Sequence, residues 1–230
     1  MEPERHHLQT VKLPNFSQIL IPDEERKNIA RLFNLLAQGE HIAMNCAARQ
    51  AELADPVSRR FFLNQAKQEL FHAKAFKAGI AILAPRGVGE PIGEKAMTQY
   101  GQLINSALDR GDLLESLLGM QIILEGLGDV ALNRMSHAIP DEGAVFRHVY
   151  RLIVGQEDAH HRFGLRQFQR HVESKDGVPE HIYQHGEHYL ELINDILFSV
   201  QPLLEYFDEE SQDFLDELLQ IVPRRDSVNL

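Results

Sequence analysis

At 230 residues the chain is long enough for one domain with a sizeable core. Its net charge of -11 and pI near 5.5 argue against a nucleic-acid backbone as partner, which needs clustered Lys and Arg to displace counterions. One cysteine, Cys46, leaves no internal disulfide framework, and the N-terminus lacks an apolar signal region, so the expectation is a cytoplasmic protein with no membrane span.

Helical periodicity dominates and nothing of length alternates with period two, so the predicted class is all-α in a single domain, 1–230. Residues 1–22 read as an N-terminal extension. A first helix is predicted over 23–53 and a second over 56–83, separated by Asp55 as N-cap and Pro56 as first helical residue. Breakers at Pro85 to Gly89 and at Pro91 precede a shorter helix over 93–109, and Arg110-Gly111-Asp112 precedes the third bundle helix over 112–138. A turn near Ile139-Pro140-Asp141 leads to the fourth over 142–173. Two accessory helices, 179–200 and 208–221, act as a lid or dimer element, and the tail from Pro223 to Ser227 is frayed.

The chemistry lies in a pattern that occurs twice, Gln68-Glu69-Leu70-Phe71-His72 and Gln156-Glu157-Asp158-Ala159-His160, each with a lone helical glutamate upstream, Glu40 and Glu125. Glu and His three apart share a helix face, so each motif aims a carboxylate and an imidazole at one point. Glu40 lies 15 residues before Asp55 and Glu69 lies 14 after it. At about 1.5 Å per residue both sit roughly 22 Å from the turn and meet side by side in an antiparallel hairpin. The second half repeats this about Pro140, and the halves are offset by 85 residues at the lone glutamates and 88 at the motifs. One Glu-x-x-His is common by chance. Two copies with depth-matched partners point to four carboxylates and two imidazoles around a pair of metals: Glu40, Glu69, His72, Glu125, Glu157 and His160. For both hairpins to face one site, residues 84–111 must form a long crossover.

Around this set stand Phe33, Leu36, Ala43, Met44 and Ala47 on the first helix and Phe62, Gln65, Phe76 and Gly79 on the second, an apolar setting in which an unpaired glutamate is costly. Gln68 and Gln156 are either acceptors for a ligand imidazole N–H or plain helix residues. Asp129, one turn beyond Glu125, holds a ligand, relays protons or is a partly solvated aspartate. Tyr150, two turns before Glu157, reads as core packing. Gly119, Gly126, Gly128, Gly155 and Gly164 signal close helix packing or room beside the metals. Cys46 reads as a small buried hydrophobe. His181, His185 and His188 fall at i, i+4 and i+7 and read as a solvated polar face, because no acidic or Cys set at helical spacing on a second element accompanies them.

These motifs make the chain resemble the ferritin-like di-iron carboxylate superfamily over about 23–173. Glu69-x-x-His72-x-Lys74-x-Phe76 and Glu157-x-x-His160-His161-Arg162-Phe163-Gly164 look most like the aldehyde-deformylating oxygenases. The resemblance implies a four-helix bundle with a crossover between its second and third helices. It makes the six named residues the metal-binding and catalytic set, with Glu69 and Glu157 as bridges. In many relatives an aspartate occupies the slot held here by Gln68 and Gln156. The implied cofactor is two iron ions, with Mn/Fe and Mn/Mn as the other pairs. The implied chemistry is O2-dependent oxidation of a small, largely apolar substrate held among the first three bundle helices. No flavin, nicotinamide or Fe–S motif is present, so the electrons come from an external donor such as ferredoxin; a homodimer is compatible. Demethoxyubiquinone hydroxylases and the tRNA-modifying hydroxylase of this fold share the ligand skeleton. The alternative is a ferroxidase or iron-handling protein.

Overall fold

The computed structural model describes residues 22–135, 144–174, 177–205 and 208–223. Among them every regular element is helical. Helix α1, Asp23–Leu53, and helix α2, Pro56–Leu83, form the first hairpin with the predicted bounds. Its turn is built as the sequence implies: the Asp55 carboxylate accepts from the backbone N–H of Val57 at 2.8 Å and of Ser58 at 3.2 Å, and Pro56 occupies the first helical position, where it has no N–H to waste. Helix α3, Glu94–Asp109, lies in the crossover and packs its buried face, including Tyr100 and Ile104, on α1 and on a later helix, α7 (Glu180–Leu204).

The third bundle helix departs from the expected continuous α-helix. It is α4, Leu113–Leu117, then a π-helical stretch, Leu118–Leu124, then α5, Glu125–Met135. The wider winding follows from its neighbours. The Tyr100 hydroxyl donates to the Gly119 carbonyl at 2.6 Å and His161 Nδ1 donates to the Gln121 carbonyl at 3.2 Å, drawing both oxygens out of the helical ladder. A Cβ on Gly119 would lie 2.6 Å from Cζ of Tyr189, and one on Gly164 would lie 2.6 Å from Cβ of Gln121, so both glycines are close-packing positions against this segment.

Helix α6, Ala144–Val172, completes the bundle. The expected turn near Ile139-Pro140-Asp141, the helix ends at 138 and 142, residues 1–21 and the tail after Pro223 lie outside the described residues. Helix α7, Glu180–Leu204, runs beyond the expected end at 200: Pro202 removes one backbone bond from its last turn, and the buried Leu203 and Leu204 hold that turn on the core. Helix α8, Ser211–Ile221, follows and packs on α5 and α7. The core runs between the bundle and α7, with Tyr100, Ile122, Ile123, Tyr189 and Ile193 fully buried. A smaller cluster of Ala51, Phe62, Leu117 and Phe163 closes one end, where the Phe61 ring stacks on Phe163 at 3.7 Å. No helix among the described residues is long and apolar enough to cross a membrane.

Candidate metal centre

The six residues singled out by spacing converge between the two hairpins. Glu40, Glu69, His72 and Glu157 each present a ligand-type atom within 4.8 Å of the others, and so do Glu69, Glu125, Glu157 and His160. Glu69 and Glu157 belong to both groups, with their oxygens divided between the two histidines. Oε2 of Glu69 is 2.9 Å and Oε1 of Glu157 is 2.8 Å from His72 Nδ1, while Oε1 of Glu69 is 3.0 Å and Oε2 of Glu157 is 3.8 Å from His160 Nδ1. Glu40 Oε2 lies 3.3 Å from His72 Nδ1 and Glu125 Oε2 lies 3.6 Å from His160 Nδ1, so each lone glutamate belongs to one half.

Five of the six are buried, and Glu40 is partly exposed. Burial pushes the Glu125 carboxyl up to about 8, helped by the neighbouring Glu157 charge. It pushes Glu40 well above the usual carboxylate range, again with Glu157 adding to the effect. Burial also works to raise Glu157, but contacts with Glu125, His160 and His72 outweigh it and hold that carboxylate low. For the imidazoles burial opposes charge, yet the surrounding carboxylates win: His160 is pushed up to about 12 and His72 is raised further. Without metal the cluster therefore balances its charge with protons.

Several polar atoms of the cluster are nevertheless unmatched. Both oxygens of Glu69, Oε1 of Glu157 and Nδ1 of His72 and His160 are buried and lack a hydrogen-bond partner, at a cost of about 1–3 kcal/mol for each such group. Nδ1 and carboxylate oxygens that face one another outside hydrogen-bond geometry are what a shared cation satisfies. The buried Glu/His cluster can hold a metal pair.

The glutamines next to the motifs act across the hairpins. His72 Nε2–H donates to Gln156 Oε1 at 2.7 Å, and His160 Nε2–H donates to Gln68 Oε1 at 2.9 Å. Each pairing fixes which ring nitrogen faces the cluster. A second polar device was not foreseen from sequence. Gln65 donates to Glu125 Oε1 at 2.8 Å, Gln121 donates to Gln65 at 3.1 Å and to Gln50 at 2.7 Å, and Gln50 donates back to Gln121 at 2.9 Å and on to Ser116 Oγ at 3.1 Å. Gln50, Gln65, Gln121 and Ser116 are fully buried. The available signal was a glutamine four residues ahead of a cluster glutamate in two helices, Gln65 before Glu69 and Gln121 before Glu125.

Other expectations fared differently. Asp129 is absent from the cluster; it accepts from Asn133 at 2.9 Å, and burial and nearby Asp158 raise its carboxyl. The Tyr150 hydroxyl donates to the Leu132 carbonyl and ties α6 to α5. Cys46 is buried in the main core, as expected. Gly128 has only Glu157 Oε2, at 4.0 Å, near the position of a Cβ, so it alone of the five glycines leaves space beside the cluster. Gly126 packs against His161 and Ile221, and nothing lies within 4 Å of a Cβ on Gly155. Contrary to expectation, an acidic pair on a second element, Asp112 and Glu115, faces His181 and His185; His188 is the exposed partner of Glu191 on its own helix.

Beside the cluster is an apolar cavity of about 100 Å³ whose wall includes Glu40, Glu125 and Glu157. The expected lining by the first three bundle helices is incomplete. Helix α7 contributes Ile196, Leu197, Val200 and Leu204, and α8 contributes Phe214. Arg134 of α5 holds α8 in place through Asp213 at 3.3 Å and Glu217, and through Glu209 just before the helix at 2.7 Å, with its guanidinium 5.1 Å from the Phe214 ring centre. The accessory helices thus wall the cavity.

No protein-family model matches the chain, and no curated protein is similar to it in sequence. Among solved structures it is similar to protein 19 with aldehyde deformylating oxidase activity from Synechococcus, with a TM-score of 0.71 and 15% sequence identity over 86% of this chain and 87% of that one. At that identity the likeness establishes the fold, an all-α, ferritin-like bundle.

Proposed function

We propose that the chain is a non-haem di-iron oxidoreductase that uses O2 to oxidise a small, largely apolar substrate. The observation that carries this reading is the apolar cavity whose wall includes three of the cluster's four carboxylates, Glu40, Glu125 and Glu157. Glu40 and His72 would hold one metal, Glu125 and His160 would hold the other, and Glu69 and Glu157, which face both histidines, would be shared between them. Four carboxylates with two imidazoles form a donor set suited to iron or manganese rather than to softer metals. When bound as a reduced pair, iron supplies the electrons for O2 reduction. The chain orients the imidazoles through Gln68 and Gln156, orients Glu125 through Gln65, and keeps water from the reacting face with the side chains of α7 and α8. The similar Synechococcus protein supports an aldehyde or a related acyl compound as substrate. The chain has no flavin, nicotinamide or Fe–S motif, so the electrons that return the iron pair to its reduced state would come from a ferredoxin-type partner.

Anaerobic Fe(II) titration tests the centre. The expected saturation is two irons per chain, with at least one lost in Glu69→Ala, and saturation of the wild-type chain at zero or one would defeat the two-metal reading. With a chemical electron source and a panel of aldehydes, fatty acids and quinone precursors, at least one compound should be converted in an O2-dependent way that His72→Ala and His160→Ala abolish. Continuous oxidation of many Fe(II) per chain with growth of a mineral would instead make the protein a ferroxidase.

A further inference from the structure

A second set of ligand-type side chains meets where the crossover delivers the chain into α4. Asp112 is the N-cap of that helix and Glu115 lies one turn in; opposite them α7 presents His181 and His185, also one turn apart. His181 Nε2 is 2.8 Å from Asp112 Oδ2, and His185 Nδ1 is 2.7 Å from Glu115 Oε2. Asp112, Glu115 and His181 each offer an atom within 4.8 Å of the other two, and the two imidazole centres are 5.8 Å apart. His185 joins this group through Glu115, so the two elements bring together two carboxylates and two imidazoles, donor types that zinc takes.

The Glu115 side chain is 0% exposed, and its Oε1 is buried with no hydrogen-bond partner. His185 Nδ1 is also buried and unpartnered, although a carboxylate oxygen stands 2.7 Å away. The same signature, an imidazole nitrogen and a carboxylate oxygen in near contact but outside hydrogen-bond geometry, marks His72 and His160 in the central cluster. Arg110 donates to Glu115 Oε2 at 2.6 Å and is half exposed, so it balances one oxygen and leaves the other open.

We propose that Asp112, Glu115, His181 and His185 form a separate site for one divalent cation of the zinc type. Imidazole with carboxylate suits zinc, and the spacing of Asp112 to Glu115 and of His181 to His185 gives each helix two ligands on one face. A cation there ties the start of α4 to α7, the helix that walls the apolar cavity. It does not depend on the central cluster or on the proposed reaction.

Zinc itself is the probe, and metal per chain after gel filtration is the readout, with calorimetry for affinity. Wild-type protein is expected to retain one more Zn2+ than His181→Ala/His185→Ala, a variant that alters only partly exposed side chains. Co2+ is expected to give the visible bands of a tetrahedral ion in wild type and to lose them in that variant. Asp112→Asn keeps a side chain that caps the helix but removes the charge, and should weaken the extra ion roughly tenfold or more, since losing a ligand costs at least as much as losing an outer partner. Glu69→Ala/Glu157→Ala should still take up this ion, which separates failure of the central site from failure of this one. Equal zinc counts in wild type and the double-histidine variant, or unchanged affinity in Asp112→Asn, would overturn the proposal.

Discussion

Replacing Gln156 by leucine removes the acceptor for His72 Nε2–H while keeping a side chain of similar size. The contact is 2.7 Å and His72 is fully buried, so the ring N–H loses its partner where little water can replace it. An unmatched buried donor costs about 1–3 kcal/mol. Losing the group that orients a ligand histidine typically weakens metal binding by about 10–100-fold, or about 1.4–2.7 kcal/mol. The two ranges agree because they describe one bond, once as fold stability and once as ligand positioning. The structure also says which histidine feels the change. Gln156 is four residues before His160 in sequence but bonds to His72 on the other hairpin. A double-mutant cycle on anaerobic Fe(II) or Mn(II) affinity resolves this: Gln156→Leu should couple to His72→Ala and act independently of His160→Ala. Gln68→Leu should show the reverse pattern. Coupling of Gln156 to His160, or affinity within twofold of wild type in Gln156→Leu, would refute the crossed arrangement.

Gly164→Ala should lower the thermal midpoint: its Cβ would sit 2.6 Å from Cβ and 3.2 Å from the backbone carbon of Gln121, and overpacking of about 1–3 kcal/mol exceeds the gain of about 0.5–1 kcal/mol from removing a helical glycine. At about 2–4 °C per kcal/mol for a chain of this size, a drop of a few degrees is expected, and an unchanged or higher midpoint would show that the π-helical stretch yields freely. The metal-free chain should lose stability as pH rises. Glu125 moves from 4.5 when unfolded to about 8 when folded, and Glu40 moves the same way, so their contribution is complete below pH 4.5 and is lost as pH climbs through about 8. His160, raised from 6.5 to about 12, continues the decline above 6.5, while the lowered Glu157 acts in the opposite sense only as pH falls below 4.5. Metal displaces these protons, so metal affinity should rise over the same interval. Urea midpoints of the metal-free chain that increase from pH 5 to pH 8 would contradict this reading.

What could be read in advance was what nearby residues decide. The ends of α1 and α2 follow from Asp55 and Pro56, whose capping chemistry is complete within four residues. The convergence of the six cluster residues follows from helical spacing and matched depth. The π-helical stretch was hidden because Tyr100 and His161, which draw its carbonyls aside, come from other helices. The crossed glutamines were half visible: the residue type signalled an acceptor, but only the packing of α2 on α6 assigns each to the opposite motif. Asp112 and His181 stand 69 positions apart in sequence, so no spacing rule joins them.

The amide chain that runs from Glu125 through Gln65, Gln121 and Gln50 to Ser116 has a chemical limit. Amide N–H groups donate hydrogen bonds but do not ionise at any ordinary pH. The chain therefore holds Glu125 in register without conducting acidity, and behaves as an insulator laid along the inside of the bundle. Any exchange of protons between the cluster and bulk water is left to its least enclosed carboxylate, that of Glu40, which is 11% exposed where Glu69 is 0%. A centre that is tightly wired on its inner side is in this way open to acid and base at one residue of α1.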